Sequence, residues 1–342
     1  VAGELAKLHG QDGRRVVGVR VAGPNAGHVV VDKGERWAMR QIPVAFINPD
    51  AELYIAAGSE IDPAVLLDEL DQLEGAGYDI QGRLKISPQA TILEPRHIQA
   101  EQESDIVSRL GSTAKGVGAA RADRIWRTAT IAGTYAESWK RTYGLVIKEV
   151  ELNEPLNRRD HLSVVIEGTQ GYGLGLHAGL YPQCTSSDCR AIDFLAMAGI
   201  SPWALKVFGP HDDRFQIHVV TRPNPIRVAG NSGPMLDETS WANLGLEEER
   251  TTVTKKIRRV GGWDSEIVRQ AVIANGIEHV GIAFAMADHV LPQVKGMTTE
   301  SELRSLSAES YGEVVGWLDM IARETGADVT SMGTGPDSTV WL

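Results

Sequence analysis

Val16-Val17-Gly18-Val19-Arg20-Val21 runs directly into Ala22-Gly23-Pro24-Asn25-Ala26-Gly27-His28. A β-branched run that breaks on a Gly-Pro turn is a strand leaving for a tight loop. The pattern recurs where Leu53-Tyr54-Ile55-Ala56-Ala57 meets Gly58, and where Ser163-Val164-Val165-Ile166 meets Glu167-Gly168-Thr169-Gln170-Gly171. Ile217 to Val220 and Val280 to Ala285 are further strand candidates. Helical patterns lie between them. Over Pro63 to Gly75, Asp62 caps, Pro63 takes the first turn, and Val65, Leu66, Leu70 and Leu73 form an apolar stripe. Strands alternating with helices predict an α/β fold with a mainly parallel central sheet flanked by helices. The 36 glycines suit such punctuation. With no internal repeat, low-complexity tract or linker, residues 1–342 read as one elaborated domain.

The composition excludes several classes. With 34 Lys+Arg against 45 Asp+Glu the formal charge is −11, which argues against nucleic-acid and membrane-surface partners, since both need clustered positive charge. No run approaches the roughly 18 apolar residues of a membrane helix, and Val1 to Gly10 carries no signal-peptide pattern. A soluble, cytoplasmic protein is expected. Cys184 and Cys189 lack the neighbours of a zinc site and read as reduced thiols. Val1, Leu5 and Leu8 share a helical face with no cap ahead of them. The chain therefore reads as beginning inside a helix. A Rossmann-like or P-loop-like enzyme keeps its first strand and phosphate-cradling glycine loop just before such a helix, which places both ahead of Val1.

Three stretches can carry chemistry. His28 projects from the loop at a strand's carboxyl end, where α/β enzymes bind ligands, and is either catalytic or a satisfied loop histidine. Leu110-Gly111-Ser112-Thr113-Ala114-Lys115-Gly116-Val117-Gly118 offers glycine amides and hydroxyls to phosphate oxygens without matching the Walker pattern. Arg121, Arg124 and Arg127 follow at helical spacing, as a solvated face or a phosphate clamp. Thr251-Thr252-Val253-Thr254-Lys255-Lys256-Ile257-Arg258-Arg259 is the densest basic run, either wet surface or a site for a dicarboxylate or phosphate.

Together these pieces resemble the adenylosuccinate synthetases. The family's asparagine-alanine-glycine-histidine loop is matched by Asn25 to His28, and its glycine-rich nucleotide loop by Gly111 to Gly118. Its glutamate-glycine-x-glutamine motif is matched by Glu167 to Gln170, followed by Tyr181 to Ser187. The arginine-valine-glycine region resembles Arg227 to Gly230, the aspartate loop Thr251 to Arg259, and the terminal glycine-proline Gly335-Pro336. The order of these motifs along nearly the whole chain makes the resemblance specific.

That resemblance implies a P-loop-like ligase fold and a two-step C–N ligation. His28 would be the catalytic donor at the transferring phosphoryl group, and the Gly27 carbonyl a ligand of the cofactor Mg²⁺. Asn25, Ser112, Thr113, Arg127, Gln170, Thr185 and Val228 would hold the monophosphate nucleotide, with Arg127 reaching the neighbouring subunit of a homodimer. Thr252, Thr254, Lys256 and Arg258 would hold L-aspartate, Lys256 standing where the housekeeping enzymes have arginine. Phe284, Met286, Gly335 and Pro336 would lie at the donor nucleotide.

Several departures point to the bacteriophage branch, the 2-aminoadenylosuccinate synthetases, which join aspartate to dGMP where the housekeeping branch uses IMP. They are the compact length, Pro24, Cys184 to Cys189 and Pro225 to Val228. Ala283-Phe284-Ala285-Met286 stands at the positions that read guanine in the housekeeping branch. An apolar floor leaves guanine's N1–H and N2–H unpaired, at about 1–3 kcal/mol, which favours ATP or dATP; Asp288 nearby is the residue that could restore a partner. A phage origin would make the compartment the host cytoplasm. The general base is expected in the segment ahead of Val1, an aspartate in the housekeeping branch and a serine in the viral one. A binding protein without catalysis and a generic P-loop-like nucleotidase are the rival classes.

Overall fold

The computed structural model describes residues 1–158, 161–205, 215–251 and 255–342, and the chain divides into two compact units. The first runs through α1 (Ala2–Gln11), β1 (Arg15–Arg20), β2 (His28–Asp32), β3 (Glu35–Met39), β4 (Glu52–Ile55), β5 (Glu60–Ile61), α2 (Pro63–Gly75), β6 (Leu84–Ile86), β7 (Thr91–Ile92), α3 (Pro95–Glu103), α4 (Ile106–Leu110), α5 (Val117–Trp126), α6 (Ala136–Tyr143), β8 (Val146–Ile147), α7 (Asn153–Arg158), β9 (Leu162–Glu167) and α8 (Ala191–Met197). The second contains β10 (Ile217–Thr221), β11 (Ile226–Arg227), β12 (Arg259–Val260), α9 (Ser265–Asn275), β13 (Val280–Phe284), α10 (Glu300–Arg304), α11 (Ala308–Thr325), β14 (Val329–Gly333) and β15 (Thr339–Trp341).

The central sheet of the first unit has five strands in the order β8-β6-β4-β1-β9, every pair parallel. Its interior strand β1, between β4 and β9, is buried from Val16 to Arg20, as a parallel strand covered on both faces must be. Gly18 is needed there, because a Cβ would lie 2.2 Å from that of Ala45. Along the sequence, strands are added outward from β1 through β4, β6 and β8, and then β9 closes on the other side. The strand order therefore reverses between β1 and β9, and ligands of open α/β sheets bind outside the carboxyl ends at such a point.

Helix α2 forms where the sequence predicts it. Asp62 accepts from the amides of Ala64 and Val65, Pro63 occupies the first turn, and Leu66, Leu70 and Leu73 are buried beneath the sheet's Leu53 and Ile55. One buried residue on that helix is polar: Glu69 accepts the amides of Arg40, Gln41 and Ile42. Burial pushes its carboxyl upward, and the three amides oppose that shift.

The strand candidates at Ile217 and Val280 belong to a second sheet, of four strands in the order β10-β13-β14-β15. Its first three strands are parallel, and β15 returns antiparallel. A core of Ile282, Phe284, Val314, Ile321 and Met332 lies between this sheet and its helices.

Candidate active site

At the switch point, β1 ends in Arg20 and β9 in Glu167, opposite one another in the strand register. Arg20 is 1% exposed. A cation so deep needs both hydrogen bonds and a counter-charge. Its Nε and Nη2 donate to the Arg40 carbonyl at 3.2 and 3.1 Å, and Nη2 donates to the Ala26 carbonyl at 3.0 Å. Nη1 lies 2.7 Å from Nε2 and 3.1 Å from Nδ1 of His28, and 3.5 Å from Glu167 Oε2.

His28 differs from its expected placement. It is the first residue of β2, paired with Met39 across the β2–β3 hairpin, and its ring turns inward to Arg20 with 27% of the side chain exposed. Burial pushes the imidazole below its usual range, Arg20 adds to this, and Glu167 opposes it. The resting ring is neutral near physiological pH.

The glycine loop corrects the expectation that its amides stand free for phosphate. The buried carboxylate of Glu101 accepts from Gly116 at 2.7 Å, Gly118 at 2.8 Å and Ala119 at 3.3 Å. The amino terminus of α5 thus already holds an anion from its own chain. Gly116 has φ 79°, and a Cβ there would come within 2.8 Å of the Ile98 nitrogen. The hydroxyls of Ser112 and Thr113, with Lys115, remain as the polar face of the loop, all half-buried.

The three helical arginines part company as well. Arg121 forms a bidentate pair with buried Glu60, at 2.7 and 3.1 Å, tying α5 to β5, which takes it out of any phosphate clamp. Arg124 donates to Gln89. Arg127 is exposed, in a left-handed conformation at the carboxyl cap of α5.

After β9, Gln170 holds φ 57°, an uncommon conformation for a residue with a Cβ and one that clusters at functional sites. The Thr185 amide donates to the Leu174 carbonyl at 2.7 Å. Asp188 accepts the amides of His177 and Ala178 and lies 2.5 Å from His177 Nδ1, so it fixes this loop. Cys184 and Cys189 are free thiols, and burial pushes Cys189 up to about 12, which removes it as a nucleophile.

In the second unit, Arg227 and Val228 lie at and just beyond β11, with Arg227 opposite Arg259 in register. Ser232 donates to the Val228 carbonyl. Thr252 and Thr254 fall outside the described residues. Lys256 is exposed, its amide donating to Thr251 Oγ1. Arg222 makes a bidentate pair with Glu249 at 3.0 and 2.6 Å. Arg258 is half-buried beside that pair, held below its usual range by burial and by Arg222 while Glu249 opposes. No hydrogen bond to its guanidinium occurs among the described residues, so its donors are available to an acceptor such as a carboxylate.

At the donor positions, Phe284 is a core residue, 2% exposed and packed edge-on against Trp317 at 4.6 Å. Its ring cannot serve as the apolar floor expected from the sequence. Met286 is half-buried with φ 59° and follows the carboxyl end of β13. The Gly335-Pro336 turn follows β14, where buried Ser338 Oγ has no hydrogen-bond partner among the described residues. Asp288 is half-exposed, close after Met286. Among the described residues no group of three His, Cys, Asp or Glu side chains could cage a metal, and no helix is long and apolar enough to cross a membrane.

Sequence reasoning gave Arg20, Glu101 and Glu69 no role. Arg20 did carry a signal, as a charge inside an otherwise apolar buried strand, where only a paired ion is tolerated.

An α/β scaffold whose candidate loops follow its strand ends is what these elements define. The family model for adenylosuccinate synthetase matches residues 11–152 and 129–300. The Archaeoglobus fulgidus adenylosuccinate synthetase is 32% identical over 317 residues, covering 92% of this chain and 86% of its own. That of Methanocaldococcus jannaschii is 34% identical over 319 residues, with 92% and 84% covered. The chain belongs to the adenylosuccinate synthetase family and is a carbon–nitrogen bond-forming ligase. Among solved structures, the cyanophage S-2L succinoaminodeoxyadenylate synthetase (PurZ), bound to dGMP and to dATP as energy donor, superposes with a TM-score of 0.73 at 27% identity, covering 98% of this chain and 89% of that one. The fully ligated Plasmodium falciparum adenylosuccinate synthetase superposes with a TM-score of 0.76 at 17% identity, with 99% and 96% covered, and shares the fold.

Proposed function

We propose that this enzyme joins L-aspartate to the 6-position of dGMP, using ATP or dATP, to give 2-amino-2'-deoxyadenylosuccinate. The observation that carries this reading is the likeness, along nearly the whole chain, to the cyanophage enzyme holding dGMP and dATP. The purine O6 attacks the donor's γ-phosphorus, the nucleoside diphosphate leaves, and the aspartate amine displaces the 6-phosphoryl group as orthophosphate. Such transfers depend on positioning and charge neutralisation.

In this reading His28 meets the phosphoryl group, while Asn25, Ser112, Thr113, Gln170, Thr185 and Val228 hold the monophosphate nucleotide. Lys256 and Arg258, with Thr252 and Thr254, hold aspartate. Met286, Gly335 and Pro336 flank the donor base, with Phe284 supporting them from the core. Gly27 is exposed, and its carbonyl takes part in no hydrogen bond among the described residues. One neutral backbone oxygen beside nucleotide phosphates suits Mg²⁺, which favours few protein ligands. When bound, the ion supplies charge neutralisation at the phosphates. Arg127 completes the nucleotide site of a second copy in a homodimer, and the enzyme works in the cytoplasm, that of the host if it is viral.

The 31–34% identity to ordinary synthetases favours a second reading, with IMP and GTP. Side-by-side turnover of dGMP, GMP, dAMP and IMP at fixed aspartate decides between the two, and faster use of IMP would overturn the first. Donor competition among dATP, ATP and GTP is expected to disfavour GTP, and a win for GTP would implicate Asp288.

A further inference from the structure

The two oxygens of Glu167 have different surroundings. Oε1 accepts the Val44 amide at 2.5 Å. Oε2 is buried and accepts no hydrogen bond among the described residues. The groups that face it stop short, with Arg20 Nη1 at 3.5 Å and His28 Nδ1 at 3.4 Å. A buried acceptor without a donor is costly, more so when charged, and native structures rarely keep one without a reason.

The ring between these two residues is constrained by what each can do. A guanidinium only donates, and a carboxylate only accepts. Arg20 Nη1 lies nearer Nε2, at 2.7 Å, than Nδ1, at 3.1 Å, which puts the lone pair on Nε2 and the proton on Nδ1, the nitrogen 3.4 Å from Glu167 Oε2. A small turn of the partly exposed ring closes the 3.4 Å gap, brings Nδ1–H onto Oε2 and frees Nε2 from Arg20. Arg20 stays in place throughout, because the Ala26 and Arg40 carbonyls hold its other N–H groups.

We propose that Glu167 is the positioning residue of His28, its Oε2 taking Nδ1–H when nucleotide binds so that Nε2, released from Arg20, takes up a proton from solvent and donates it to the reacting phosphoryl oxygen, the Glu167 carboxylate offsetting the imidazolium charge. Arg20 holds the resting ring and the peptide ahead of Gly27. This rests on the reading of His28 as the catalytic histidine. The tautomer of a histidine is set by the bond its other nitrogen makes, and a carboxylate behind the ring stabilises a proton shared at the far nitrogen.

The test uses the full chain with ¹⁵N-labelled histidine. Long-range ¹H–¹⁵N spectra at pH 8, with His28 assigned by its disappearance in His28→Asn, should show the Nδ1–H tautomer in the wild type with and without dGMP. Glu167→Gln keeps an acceptor for the Val44 amide and replaces Oε2 with a donor. It should lower kcat by about 10²–10⁴-fold, with the KM values for dGMP and aspartate within about threefold, and abolish any nucleotide-dependent change in the His28 ¹⁵N signals. A ring that carries its proton on Nε2 in the wild type overturns the proposal, even if the variant does not fold. So does a Glu167→Gln kcat within threefold of wild type while His28→Asn is severely impaired. If His28→Asn itself loses less than tenfold, the catalytic reading of His28 falls, and the spectra still judge the pairing.

Discussion

Glu101 meets the amide of Gly116 at 2.7 Å, and with Gly118 and Ala119 it fills the anion site at the start of α5. The loop carrying Ser112 and Thr113 is therefore anchored at its carboxyl-terminal end by the chain's own carboxylate. Bonds between amides and an ionised carboxylate are worth roughly 1.5–3 kcal/mol each, net of the exchange with water. Glu101→Gln, which cannot accept from all three amides as a carboxylate does, should lower the thermal midpoint by several degrees and raise the KM for the monophosphate nucleotide at least tenfold. Calorimetry and steady-state kinetics check this. A lower midpoint with unchanged KM would separate this loop from the nucleotide site.

Arg258 presents a half-buried guanidinium beside a completed Arg222–Glu249 pair. If it holds an aspartate carboxylate, its loss removes one charge-assisted contact, about 1.5–3 kcal/mol. Arg258→Ala should raise the KM for aspartate about 10- to 150-fold and leave the nucleotide KM within threefold. Equal effects on both substrates would assign this segment a structural role.

What the sequence reveals depends on how local the cause is. The cap, the proline and the leucine stripe of α2 lie within one helix, and the structure matches them residue for residue. The loop at Asn25 to Gly27 is also local, since a strand and a Gly-Pro turn announce it, whereas His28 opens β2. The β2–β3 hairpin went unread although Lys33-Gly34, both at positive φ, is a tight-turn pair. Glu167 and Val44 are 123 residues apart, and Glu69 and Arg40 are 29 apart. No periodicity links such partners. A glycine loop likewise announces free amides without disclosing that Glu101 occupies them.

His9 provides a pH test away from the switch-point residues. Burial first, then Arg14, hold its imidazole below the usual 6.5, with Asp12 opposing, and its Nδ1 lies 2.6 Å from Ser163 Oγ. The unfolded chain then binds a proton that the folded chain refuses in the interval between the folded value and 6.5. Stability from this group is complete above 6.5 and declines as pH falls through that interval. Urea midpoints at pH 8 and pH 5 should differ more for the wild type than for His9→Gln. An identical difference would mean that His9 titrates alike in both states.

Ile125 and Trp126 are 71% and 76% exposed at the end of α5, immediately before Arg127. An indole buries about 150–250 Å² when covered, worth roughly 4–6 kcal/mol before other costs at about 25 cal/mol per Å². If Arg127 reaches the nucleotide of a second copy, these two side chains lie where that copy would cover them, and the contact and the phosphate interaction can be separated. Trp126→Asp should convert a dimer to monomer in sedimentation analysis and raise the nucleotide KM as a consequence. Arg127→Ala should leave the dimer intact and raise the same KM by about tenfold or more, the loss of one charge-assisted contact. A Trp126→Asp protein that still sediments as a dimer would place the subunit contact elsewhere, whatever Arg127→Ala does to the kinetics.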